Sequence, residues 1–177
     1  MGKVDVKGTE AVEPKRVCAG FDSASLGRKI DRGALVAAVE TELPEVEHYL
    51  DLRTGEILTV VAPVWTDDAE TEALDEIARD NRKLARQIRA EPDCFELVPS
   101  IATEAGFRWM QEFTATIADE SLREKLQQLL RDCTDDCFGA FRRELPHFPD
   151  EERERWFAFR NEKIEEFINA WLEGLGA

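Results

Sequence analysis

The chain has 177 residues, with 38 acidic side chains against 23 basic ones and a net charge of −15. This length predicts one domain that buries roughly 70% of the unfolded chain's surface, enough for a core without a metal or a disulfide. The charge disfavours direct binding to nucleic acid, because duplex phosphate is neutralised by Lys and Arg, and it favours basic partners.

Neither membrane insertion nor export is predicted. No apolar run approaches the ~20 residues that a membrane-spanning helix requires, and the first residues lack the hydrophobic stretch of a secretory signal. We therefore expect a cytoplasmic protein with no membrane partner, in which the four cysteines are reduced thiols.

The first predicted helix follows a long irregular stretch. Residues 1–29 lack hydrophobic periodicity and contain four glycines and a proline, which predicts a flexible N-terminal extension. Asp31 is the predicted cap of a short helix that ends by Pro44. The predicted division is thus a flexible extension at 1–29 and a single α+β domain at 30–177.

The segment from Val46 to Ala62 has the clearest hairpin pattern in the chain. Apolar and polar residues alternate on both sides of the turn Arg53-Thr54-Gly55-Glu56, in which Gly55 supplies a positive φ angle. A third strand is predicted from Cys94 to Val98, between two prolines.

Between the hairpin and the third strand, a helix is predicted from about Thr66 to Ala90. Acidic residues at its start and basic residues at its end match the helix dipole. Its apolar stripe is thin, which indicates a helix lying on the surface.

From Ser100 onward the hydrophobic spacing is helical. Asp119 and Thr134 are the predicted caps of two of these helices, and the last helix is predicted from about Asp150 to Leu175. The predicted fold is α+β: an N-terminal helix and a β-hairpin with a third strand, packed on a C-terminal bundle of three to four helices.

Arginine and aromatic side chains are interleaved in the last forty residues. In one interpretation, a ligand-binding cluster formed by Arg142, Arg143, Trp156 and Arg160 holds an anionic small molecule such as a nucleotide or phosphate. In the other, which the helical spacing favours, the aromatic rings form the core and the arginines pair with carboxylates. Arg160 keeps the first interpretation open, because it shares a stripe with Trp156 and a buried charge must be paired or liganded.

The sequence contains no pattern that predicts catalysis. His48 and His147 have no Ser or Cys partner at a recognisable spacing. Cys133 and Cys137 lack the spacing of a zinc knuckle and, on consecutive helical turns, would make a poor structural disulfide. We therefore predict no catalytic residues, no metal ligands and no cofactor, and lean against an enzyme.

Several segments resemble a known family. They are Tyr49-Leu50-Asp51-Leu52-Arg53-Thr54-Gly55-Glu56, the F-x-x-M-x-x-F pattern from Phe107 to Phe113, and Trp156-Phe157-Ala158-Phe159-Arg160-Asn161-Glu162. In this order they resemble the uncharacterised protein family numbered 0158 in the UPF series, over about residues 30–175. The resemblance implies a single compact unit and no established activity.

Three functions stay open on the sequence. The favoured one is a non-catalytic cytosolic module that binds a protein partner, because the chain is acidic and has no catalytic pattern. The second is a binding domain or enzyme for an anionic small molecule at the arginine and tryptophan cluster. The third is an acidic mimic of nucleic acid that binds a DNA-binding protein.

Overall fold

A computed structural model describes residues 18, 26–27, 29–41, 43–61 and 76–176. The extension predicted at 1–29 therefore lies mostly outside the described residues. Cys18 and Leu26, two described positions within it, are only 5% and 1% exposed. At these positions the chain packs against the rest of the protein.

The fold is α+β, as predicted. An N-terminal helix and three strands, with a further helix between the second and third strands, precede four C-terminal helices. The elements in chain order are α1 (Arg32–Val39), β1 (Val46–Asp51), β2 (Ile57–Val61), α2 (Glu76–Ala90), β3 (Phe95–Leu97), α3 (Thr103–Ala115), α4 (Glu120–Asp132), α5 (Cys137–Glu144) and α6 (Asp150–Leu175). Short 3-10 turns at Pro92–Cys94 and Leu145–His147 lead into β3 and toward α6. Every helix within the described ranges is too short or too polar to cross a bilayer.

The three strands form one antiparallel sheet in the order β2-β1-β3. The hairpin between β1 and β2 is confirmed, and Gly55 in its turn has a φ angle of 78°. A Cβ atom at this position would lie 2.8 Å from the Cβ atom of Lys29. The turn therefore requires glycine both for its backbone conformation and for the close approach of Lys29.

Helix starts are set mainly by aspartate side chains. Asp31 and Asp119 cap α1 and α4 through their carboxylates, as predicted. The predicted cap Thr134 is wrong, because α5 begins later and is capped by Asp136, which accepts a hydrogen bond from the Gly139 amide at 2.9 Å. Asp136 adopts a left-handed φ of 32°, which delays the start of the helix.

The helix predicted from about Thr66 is described only from Glu76, since residues 62–75 lie outside the described ranges. Only Ala85 and Ile88 of α2 are fully buried, in agreement with its predicted surface position. The third strand is shorter than predicted at both ends. It begins only after Cys94, which belongs to the preceding 3-10 turn, and it ends at Leu97.

Three hydrophobic clusters hold these elements together. The first lies between α1, the sheet and α6, and contains Leu26, Leu35, Val39, Leu50, Ile164, Ile168 and Leu172. The second lies between α3, α4, α5 and α6, and contains Met110, Phe113, Leu126, Leu130, Phe141 and Trp156. The third lies between α2 and the sheet, and contains Val60, Ala85, Ile88, Cys94 and Phe95.

Helix α6 contributes to the first two clusters, since its 26 residues span about 39 Å at the usual rise. Its fully buried side chains are Trp156, Ile164, Ile168 and Leu172. Phe159, Phe167 and Trp171, which lie beside this buried line, are half-buried.

Candidate functional site

Trp156 lies inside the second hydrophobic cluster. Its side chain is 2% exposed, and its ring centroid is 4.8 Å from that of Phe141 and 5.2 Å from that of Phe113. Such tilted and edge-to-face contacts are the usual geometry of packed aromatic rings. Trp156 thus joins α3, α5 and α6 and has no open face on which a ligand can stack.

Arg160 has a partner within the chain. Its Nη1 atom donates a hydrogen bond to the Oε1 atom of Glu40, immediately after α1, and the two side chains are 24% and 29% exposed. The Arg160 guanidinium also lies 5.7 Å from the centre of the Phe138 ring. The Arg160 charge, which the sequence placed on the same stripe as Trp156, is therefore paired with the Glu40 carboxylate at the end of α1.

The other two arginines of the predicted anion-binding cluster lie at the end of α5 and are exposed. Arg143 pairs with Asp136 across 3.3 Å, with 70% and 68% of the side chains exposed. Arg142 projects from the same exposed turn. The cluster thus separates into a buried ring, an inter-helix ion pair and two surface arginines.

All four cysteines are paired, so the prediction of reduced thiols is wrong for this structure. Cys18 is bonded to Cys94, and Cys133 is bonded to Cys137. The second pair was predicted to make a poor structural disulfide, because the two residues lie on consecutive turns of the chain. Cys133 instead follows α4 and Cys137 begins α5, and their Cα atoms are 5.5 Å apart, within the range of a disulfide.

A shallow, solvent-open groove lies beside β3 and α2, and we call it the β3 groove. Its lining residues are Glu47, Tyr49, Ile88, Arg89, Pro92, Phe95, Glu96 and Leu97. Leu97 is 50% exposed although it is apolar. No pattern in the sequence identifies this surface, because the alternation of apolar and polar residues does not show which apolar side chains of a strand stay exposed.

Tyr49 supplies the phenol of the β3 groove. Its hydroxyl donates a hydrogen bond to the Oε2 atom of Glu47 at 3.0 Å. Burial, together with the hydrogen bond and the charge of Glu47, raises the pKa of Tyr49 to about 12. At neutral pH the phenol is therefore a hydrogen-bond donor in the groove and not a base.

The main chain of β3 leaves hydrogen-bonding groups at the edge of the sheet. The Cys94 carbonyl accepts a hydrogen bond from the Leu52 amide, just after β1, at 3.0 Å, and the Val98 amide donates one to the His48 carbonyl of β1 at 2.8 Å. The alternation of an antiparallel ladder therefore directs the main chain of Phe95 and Leu97 away from β1. The Phe95 amide donates to the Pro92 carbonyl. Within the described ranges, the Phe95 carbonyl and the amide and carbonyl of Leu97 have no partner.

The opposite edge of the sheet is closed at Val61 by a side chain. The Asn81 amide group in α2 donates to the Val61 carbonyl at 2.8 Å and accepts from the Val61 amide at 3.1 Å. One side chain thereby replaces the two hydrogen bonds of a neighbouring strand. At this position, the end of β2 differs from the outer edge of β3 in the described part of the chain.

Arg53 ties the hairpin turn to the loop that precedes β3. Its Nη2 atom lies 3.1 Å from the Oδ2 atom of Asp51, its Nη1 atom bonds to Glu91, and its guanidinium lies 5.2 Å from the Phe95 ring centre. Burial acts to raise the pKa of Asp51, but the hydrogen bonds and charge of Arg53 outweigh it and lower that pKa. The ionised pair thus helps to fix the position of β3.

The comparisons with known proteins identify a family and assign no activity. The Uncharacterised protein family (UPF0158) matches residues 29–175. The UPF0158 protein PA5073 of Pseudomonas aeruginosa is 28% identical over 144 residues, which cover 81% of each of the two chains. No solved structure matches the chain. Within the part of the chain that the structure describes, no three His, Cys, Asp or Glu side chains are grouped closely enough to hold a metal ion.

Proposed function

Since the chain belongs to the Uncharacterised protein family (UPF0158), whose name assigns no activity, we propose a function from its surface: a non-catalytic module that binds an extended segment of a partner protein along β3. The observation that carries this proposal is the outer edge of β3, which has no partner strand among the described residues and lies beside an apolar groove. We propose a cytoplasmic location for the interaction. The family resemblance found in the sequence is confirmed.

Binding would follow the chemistry of strand addition. The Leu97 amide donates a hydrogen bond to a carbonyl of the incoming segment, and the carbonyls of Phe95 and Leu97 accept hydrogen bonds from its amides. These main-chain bonds supply affinity without regard to sequence. The side chains of the segment then decide which partner is bound.

The two faces of β3 favour a segment in which apolar and basic residues alternate. Register with β1 places Phe95 and Leu97 on the face of Tyr49, while Glu96 points to the other face. An apolar residue opposite Leu97 would enter the β3 groove, and a basic residue opposite Glu96 would meet a carboxylate. The net charge of −15 further favours a basic partner.

The geometry gives less support to an anionic small molecule. A stacking role for Trp156 requires an open ring face, but the ring is buried, and the Arg160 charge is already paired with Glu40. The acidic mimic of nucleic acid stays a prediction, and displacement of DNA from a basic protein would test it.

A library of extended peptides displayed on phage tests the proposal against the immobilised protein. We expect enrichment of peptides in which apolar residues alternate with Lys or Arg. Leu97→Asp should weaken binding of a selected peptide at least about tenfold, since it places a charge in the groove. Leu97→Pro should weaken it similarly, because proline removes the donor amide.

The matched control is Ile77→Asp, at an apolar side chain that is 80% exposed on α2 and lies outside the groove. This variant should bind the selected peptide as the original chain does. Enrichment without the alternating pattern, or equal binding to all three variants, would overturn the proposed function.

A further inference from the structure

The Cys133–Cys137 disulfide lies at the junction of α4 and α5. Cys133 is the residue that follows α4, and Cys137 is the first residue of α5. Both side chains are half-buried, whereas Cys18 and Cys94 are 5% and 9% exposed. A thiol in solution can therefore reach the Cys133–Cys137 disulfide, whereas the Cys18–Cys94 disulfide is shielded from it.

The fold depends little on this exposed cross-link. It joins residues with a sequence separation of 4, compared with 76 for Cys18 and Cys94, and a short loop constrains the unfolded chain least. Helices α4 and α5 also pack together through Leu130 and Phe141, which lie in the same hydrophobic cluster. The bond can thus open while the helices stay packed.

We propose that Cys133 and Cys137 form a thiol–disulfide exchange site, which small-molecule thiols reduce while Cys18–Cys94 stays intact. A thiolate attacks the Sγ atom of Cys133, a mixed disulfide forms, and Cys137 leaves as a thiolate that takes up a proton. A second thiolate attacks the outer sulfur of the mixed disulfide and releases Cys133. In sum, two thiols lose two electrons and become one disulfide, while the protein disulfide becomes two thiols.

The position of Cys137 favours it as the leaving group. It occupies the first position of α5, where the partial positive charge of a helix N-terminus stabilises a thiolate. The adjacent Asp136 carboxylate opposes this effect but is itself bonded to the Gly139 amide and to Arg143. Cys133, at the opposite end of its own helix, has no such stabilisation and is the sulfur that is attacked.

Opening of the bond also affects the first turn of α5. Asp136, which lies between the two cysteines in sequence, adopts a left-handed conformation and caps the helix. Reduction removes the covalent link that spans this residue, so we expect Asp136 to relax to an ordinary conformation and release the Gly139 amide. Hydrogen exchange of the Gly139 and Ala140 amides should then become faster in the reduced protein.

A redox titration of the whole chain tests the proposal. The protein is equilibrated with reduced and oxidised glutathione at defined ratios, free thiols are alkylated, and mass spectrometry counts the alkylated cysteines. We expect Cys133 and Cys137 to become half-reduced at a reduced-to-oxidised ratio at least about tenfold lower than that for Cys18 and Cys94. Far-UV circular dichroism should be unchanged at that point, which excludes reduction through unfolding.

Two variants complete the test, one for the attacked sulfur and one as a control. With oxidised glutathione, Cys137→Ser should accumulate a stable glutathione adduct on Cys133, because the resolving thiol is absent. Cys18→Ser is the matched control and should leave the half-reduction ratio of Cys133 and Cys137 within about twofold of the original. Reduction of both disulfides together, or reduction of Cys133–Cys137 only after the circular dichroism signal is lost, would overturn the proposal.

Discussion

The guanidinium of Arg160 donates a hydrogen bond to the carboxylate of Glu40, which lies 120 residues earlier in the chain. Glu40 directly follows α1 and Arg160 lies in α6, so the pair joins the N-terminal helix to the last one. The two side chains are 24% and 29% exposed, and salt screens such a pair less than one on the open surface. The pair therefore fixes how α6 lies against α1.

Loss of this pair should destabilise the fold. Arg160→Ala is expected to lower the free energy of unfolding by about 1–2 kcal/mol, between the values for exposed and buried ion pairs, because Glu40 loses its partner. Urea denaturation measures the change, and a double-mutant cycle with Glu40→Ala isolates the coupling. The exposed Arg142→Ala should change stability by less than about 0.5 kcal/mol. A coupling of zero would contradict the prediction.

Trp156 and its neighbour Phe157 offer a matched comparison between a buried and an exposed aromatic residue. Trp156→Ala should lower the free energy of unfolding by about 3–5 kcal/mol, since it leaves a cavity beside Phe113 and Phe141. Phe157 is 49% exposed, so Phe157→Ala should cost less than about 1 kcal/mol. Chemical denaturation monitored by circular dichroism measures both values. Equal costs would show that Trp156 is not a core residue.

The two disulfides should differ in their contribution to stability. On loop-closure entropy alone, loss of Cys18–Cys94 should cost about 4.5 kcal/mol and loss of Cys133–Cys137 about 2 kcal/mol. The double substitution of Cys18 and Cys94 by Ala, compared with that of Cys133 and Cys137 by Ala, measures the difference in guanidinium chloride. The reverse order of the two costs would argue against a mainly structural role for the buried pair.

The raised pKa of Tyr49 predicts a pH effect that is simple to observe, because Tyr49 is the single tyrosine of the chain. Its folded-state pKa of about 12 lies above the usual value of 10.0. The neutral phenol therefore stabilises the fold fully below about pH 10, and this contribution is lost as the pH rises toward 12. Ultraviolet absorbance of the phenolate follows the titration directly.

Glu47→Gln should lower the pKa of Tyr49, because it removes a carboxylate that accepts the phenolic proton and repels the phenolate. Part of the elevation should persist, since burial is its largest cause. Glu96→Gln, on the other face of the sheet, is the control and should leave the titration unchanged. Ordinary titration of Tyr49 in the folded protein would contradict the contact with Glu47.

Much of the fold was predictable from local signals. The bounds of α6 follow from a proline pair, a run of acidic residues and a long helical pattern, and they are those of the predicted helix, Asp150 to Leu175. The hairpin follows from alternation around Gly55, which is the residue that a positive φ angle favours. In such segments propensity, capping and hydrophobic period all favour one structure.

The features missed by the sequence analysis depend on contacts between distant residues. The pairing of Cys18 with Cys94 spans most of the first half of the chain, and no spacing rule identifies it. The open edge of β3 depends on the order of the strands, and the closure of β2 depends on Asn81, a polar residue of a surface helix with nothing distinctive around it. For the predicted ligand cluster, the sequence placed Arg160 on the same helical stripe as Trp156, but it did not identify Glu40 as the carboxylate with which Arg160 pairs.

The closure of β2 by Asn81 limits how copies of this protein can associate. A sheet that is open on both sides can add neighbours without end and grow into a fibril. Here the Asn81 side chain occupies both main-chain groups of Val61, so a strand of another molecule cannot bond to β2 at that residue. Growth of the sheet past β2 would have to avoid this blocked position, which disfavours stacking of copies along that border.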